Sequence, residues 1–77
     1  MSAQSYVIVE STYYLREQIR ICYGTALIEE DGADVTILQT VSDISPDRQH
    51  VSAFVALCNR LHPSKETFAE LLEQFIG

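Results

Sequence analysis

The sequence predicts a small α+β domain: a three-stranded antiparallel meander followed by two helices packed on one face. Three observations carry this reading. Residues 19–29 and 34–42 each alternate in polarity, around Glu30, Asp31 and Gly32. Residues 6–15 are rich in β-branched and aromatic side chains, which suit a strand. Beyond Pro46 the period lengthens: Val51, Phe54, Val55, Cys58 and Leu61 recur at helical spacing, then Phe68, Leu71, Leu72, Phe75 and Ile76.

The central hairpin sets the register. A two-residue loop at Asp31 and Gly32 would place Leu27 opposite Thr36 and Tyr23 opposite Thr40, mixing polarity on both faces. A three-residue loop of Glu30, Asp31 and a left-handed Gly32 places Leu27 opposite Val35, Thr25 opposite Ile37 and Ile21 opposite Val41. One-residue slips exchange the faces, so a buried face selects the second register.

The first strand is placed the same way. Residues 1–4 are small and polar, a fraying end. A loop of Arg16, Glu17 and Gln18 sets Leu15 opposite Ile19, Tyr13 opposite Ile21 and Val7 opposite Leu27. That loop lacks Gly, Asn and Asp, and a short helix over residues 14–19 is the competing reading. In this register one face carries Val7, Val9, Tyr13, Ile21, Leu27, Val35, Ile37 and Val41, and the helices cover it. The other keeps Tyr6, Ile8, Tyr14, Cys22, Ala26, Ile28 and Leu38. Solvated antiparallel faces read polar, and this one does not. It is therefore the expected contact surface for a protein partner or a second copy, with Tyr6, Ile8, Tyr14, Ile28 and Leu38 as interaction residues and a two-fold homodimer as the arrangement.

The helices carry their own boundaries. Ser45 is the expected first cap, with Pro46 in the first turn and Asp47 at the positive end of the dipole. Pro63 ends that helix near Leu61. Ser64 caps the second helix, with Pro63 and Phe68 at staple positions and Glu66, Glu70 and Glu73 toward solvent.

Size and charge narrow the function. Seventy-seven residues make one domain with one small core. The net charge is −6, and the five basic residues, Arg16, Arg20, Arg48, Arg60 and Lys65, are scattered. Neither nucleic acid nor an anionic membrane is an expected partner. No secretory signal or membrane span is visible, and two cysteines suit a reducing cytoplasm as free thiols.

No constellation of reactive residues stands out. Cys58 and His62 share a helix side and can be read as nucleophile and base or as two metal ligands. The plainer reading places Cys58 in the apolar stripe and His62 at an exposed helix end; a zinc site needs further ligands, and His50 does not supply one. Cys22 falls on the parity opposite the expected core, against a disulfide with Cys58. Gly24 beside Tyr23 can admit a ligand, but an aromatic neighbour packed over the glycine is the simpler account. Asn59 can read a partner, and the simpler account is a bond to a nearby loop backbone or to solvent. Glu29, Glu30, Asp31 and Asp34 gather at a turn without the spacing of a calcium loop. No catalytic residue, metal or cofactor is expected.

Several short features resemble a family of small, uncharacterised bacterial proteins, a domain of unknown function from anaerobic Gram-positive bacteria. They are Tyr23 and Gly24 within a strand, the Asp31–Gly32 turn, and Asp43, Ile44 and Ser45 leading into a helix. Asn59, Arg60 and Leu61 near that helix's end and the acidic, aromatic C-terminal helix complete them. The resemblance implies the fold and no activity. The expected function is a non-enzymatic, cytoplasmic protein-interaction or regulatory module. The alternative is a small-molecule binder or enzyme accessory subunit using Tyr23, Gly24 and Asn59.

Overall fold

The computed structural model describes residues 2–76. Strands β1 (Ser2–Leu15), β2 (Gln18–Asp31) and β3 (Asp34–Ser45) form an antiparallel sheet in chain order, and helices α1 (Arg48–Leu61) and α2 (Lys65–Ile76) pack on one face. The expected α+β meander with two helices is the observed architecture.

Both hairpins are tighter than the sequence suggests. Arg16 and Glu17 alone make the first turn, both left-handed at φ 51° and 65°. Two successive left-handed residues give a turn whose twist matches the strands. Leu15 therefore faces Gln18, Tyr13 faces Arg20 and Tyr6 faces Leu27, one residue away from the expected pairing. The competing helix over residues 14–19 does not form. The second turn is Gly32 and Ala33, with Asp31 opposite Asp34, Glu30 opposite Val35 and Ile28 opposite Ile37. Gly32 is left-handed as expected, at φ 63°.

Two irregularities bend β3. Leu38 is an extra residue between the Ile28–Ile37 and Leu27–Gln39 pairs. A larger one lies between the Thr25–Val41 and Tyr23–Ser45 pairs, where Asp43 takes φ 57°. Gly24 sits opposite it. A Cβ there would collide with the Val41 carbonyl oxygen and lie 2.9 Å from Ser42 Cα, so backbone, rather than an aromatic ring, fills the space.

The tighter turns set β1 and the start of β3 one phase away from the expected faces, and the bulge at Leu38 shifts the rest of β3 back. An extra residue switches a strand's inward and outward positions. Val35 and Ile37 consequently share a face with Ile28, while Val41 falls with Thr25 on the other. The helix-covered face holds Tyr6, Ile8, Tyr23, Leu27, Val41 and Ile44. Tyr6 and Ile8, expected on the open face, are thus core residues. Val7, Val9, Tyr13, Val35 and Ile37, expected beneath the helices, lie on the uncovered side.

Val51, Phe54 and Cys58 of α1 are fully buried, and Phe68 of α2 joins them. Tyr6 stacks on Phe68 at 5.5 Å, and Phe54 meets Phe68 at 5.7 Å and Phe75 at 4.8 Å. Each such apolar side chain contributes about 1.5–3 kcal/mol on burial. The first helix is capped by Asp47, not Ser45: its carboxylate accepts from Gln49 N at 3.0 Å and His50 N at 3.5 Å. Ser45 instead ends β3, and its hydroxyl accepts from Asp47 N at 3.1 Å. The helix stops at Leu61, as Pro63 implies, with left-handed His62 donating its N–H to Cys58 O at 2.8 Å. Ser64 caps α2 as expected, accepting from Thr67 N at 3.2 Å.

Candidate interaction surface

The uncovered face runs the length of the sheet. Opposed residues on neighbouring strands point to the same side. The pairs Leu15–Gln18 and Tyr13–Arg20 lie at one end, Val9–Gly24 and Val7–Ala26 in the middle, and Ile28–Ile37 and Glu30–Val35 at the other end. Tyr13, Leu15, Val35 and Ile37 are between 46% and 65% exposed, while Tyr6 beneath the helices is buried. Ser11 donates to the Asp43 carboxylate at 2.7 Å, tying β3's bend to the same face.

Beyond the Tyr23–Ser45 pair, β3 ends and β1 and β2 continue as a two-stranded ribbon. Its far side exposes Tyr14, Ile19 and Ile21. The ribbon therefore exposes apolar side chains on both faces, with Leu15, Arg16, Gln18 and Arg20 lining a shallow hollow at its tip.

The expected interaction residues divide. Ile28 lies on the uncovered face, half-buried, and Leu38 is 46% exposed at the bulge. Tyr14 is 75% exposed on the ribbon's other side. Tyr6 and Ile8 belong to the core, and burial, followed by the nearby Cys58, pushes the Tyr6 phenol up from its ordinary value. Tyr13, Leu15, Val35 and Ile37 were missed. The adjacent apolar pair Ile37 and Leu38 is the one sequence signal of the phase change.

Elsewhere the polar candidates are engaged or separated. Cys58 is fully buried among Val51, Phe54 and Val55, and burial pushes its thiol up; His62 is exposed beyond the helix end. Cys22 and Cys58 are both free thiols. His50 stacks on Phe75 at 4.0 Å. Asn59 bonds strand backbone, not a loop. Its amide oxygen accepts from Tyr6 N at 2.7 Å and its nitrogen donates to Tyr6 O at 2.9 Å, so α1 is fastened to the outer edge of β1. Among the described residues, no three His, Cys, Asp or Glu converge as metal ligands, and no helix is long and apolar enough to cross a membrane.

Comparison with protein-family models, curated proteins and solved structures finds no match.

Proposed function

We propose that this chain is a non-enzymatic protein-interaction module of the cytoplasm, docking through the uncovered face of its sheet. The observation that carries the reading is the exposure of Tyr13 and Leu15 at one end and Val35 and Ile37 at the other end of the same sheet face. Large apolar side chains exposed on an uncovered sheet face point to a contact site. The small-molecule alternative has less support, because Asn59 is spent on the Tyr6 backbone and Gly24 on β3. The bacterial family that the sequence resembles is also our proposal for its kinship, and it adds no activity. The test is affinity capture with the full chain and its Ile37→Glu variant. The variant, folded by circular dichroism, should lose the proteins captured by the original. An unchanged captured set overturns the reading.

A further inference from the structure

We propose that the occupant of the uncovered face is a second copy of this chain, lying antiparallel across a two-fold axis so that each Arg20 meets the partner's Glu30. The inference rests on the interaction reading above and names its partner.

Charge carries the argument first. Arg20 shares a pair with Tyr13 near the ribbon tip, and Glu30 shares pairs with Ala3 and Val35 at the opposite end. Both are exposed on the uncovered face, and the strand positions between them are chiefly apolar: Val7, Val9, Ala26 and Ile28. The face is thus cationic at one end and anionic at the other, with half-buried Val7, Val9 and Ile28 and buried Ala26 between them and Ser5, Ser11 and Asp43 alongside. Such a strip is complementary to itself when reversed. A two-fold axis passing between Val7 and Val9 superimposes Arg20 on the partner's Glu30, and does so twice, since an isologous contact repeats each pair. The same axis sets Ser11 against the partner's Ser5. Asp43, held by Ser11, therefore meets no carboxylate. Parallel copies would instead oppose Arg20 to Arg20 and Glu30 to Glu30. In a chain of net charge −6, self-association needs such an arrangement to offset general repulsion.

Area is the second argument. From Leu15 to Ala3 the face is about 40 Å long and two to three strands wide, about 14 Å at its broadest. Two such faces together span at most about 1,100 Å², just under the ~1,200 Å² at the low end of stable specific interfaces and in the range of weak, transient ones. A contact of this size fits a weak, reversible dimer.

The test is sedimentation equilibrium of the full chain at about 1–500 µM in low salt. Arg20→Glu, Glu30→Arg and the double exchange are run beside the original, with circular dichroism to verify folding. The original should dimerise. Each single exchange should weaken the dimer by about tenfold or more, and the double exchange should restore it. A monomeric original throughout that range overturns the second-copy assignment, leaving the capture experiment with Ile37→Glu to judge the interaction reading separately. A dimer indifferent to the single exchanges, or one that the double exchange fails to restore, overturns the antiparallel arrangement.

Discussion

Asn59 shows how much a single side chain can do at a sheet edge. An edge strand presents unpaired N–H and C=O groups, and the Asn59 carboxamide satisfies both groups of Tyr6 at once. Leucine at this position has a similar volume and neither bond. Asn59→Leu should destabilise the fold by about 1–3 kcal/mol, because it leaves partly buried backbone groups unpaired. Chemical denaturation measures the change, and an unaltered midpoint would show that water replaces the amide freely. Cys58 and Tyr6 make a second residue-scale prediction. Burial raises both above their ordinary values, so each is held neutral in the fold and ionises more readily when the chain unfolds. The unfolded state then binds fewer protons, and stability falls as pH rises through the ordinary thiol and phenol ranges and onward through the folded values. Below those ranges both groups are neutral in both states and their contribution is constant. Urea unfolding from pH 7 into the alkaline range should show the decline, with labelling of Cys58 slow at pH 7. Rapid labelling of the native protein at neutral pH would contradict the burial.

At the scale of elements, boundaries were legible where one residue decides them and not where neighbours compete. Pro63 and Ser64 sit between helices with no rival, and the observed break and cap follow them. At the start of α1, Ser45 and Asp47 flank Pro46 and both suit a cap. Pairing of Ser45 with Tyr23 in the sheet decides for Asp47. Asp47→Ala should therefore cost about 1 kcal/mol, within about 0.5–2, or several degrees in Tm. Ser45→Ala should cost less, since only one exposed bond is lost. Equal losses on calorimetry would return the cap to Ser45. The strands were recognisable from alternation, but their register was not. Period-two patterns assume unbroken ladders, and β3 contains an extra residue at Leu38 and a larger bend beside Gly24. Only the adjacent Ile37 and Leu38 betray the first. The two-residue turns exchanged the inferred faces: the Arg16–Glu17 turn carried Tyr6 and Ile8 from the supposed contact surface into the core, the Gly32–Ala33 turn moved Val35 and Ile37 out of it, and the existence of an apolar uncovered face survived both.

The whole molecule is elongated, with principal extents of 46 × 30 × 19 Å, because the β1–β2 ribbon outruns both β3 and the helices. This shape implies uneven stability. Residues near Tyr6 and Leu27 are held by paired strands and an aromatic cluster from both helices. Residues 11–15 and 18–22 pair only with each other, and isolated two-stranded ribbons are marginal in water. Paired amides of the ribbon should open locally and exchange hydrogen faster than those of Thr25 and Leu27, which approach the global unfolding limit. The proposed dimer adds a condition. An antiparallel second copy would lay its own Glu30 end over the ribbon's uncovered face, coupling ribbon opening to dissociation. Ribbon protection should then rise as protein concentration passes from below to above the dimer Kd, while core protection changes far less. Hydrogen exchange read by NMR at two concentrations separates the cases. Ribbon amides as protected as the core in the dilute monomer would refute the uneven stability, and protection independent of concentration in a sample that sedimentation shows to dimerise would place the contact elsewhere on the molecule.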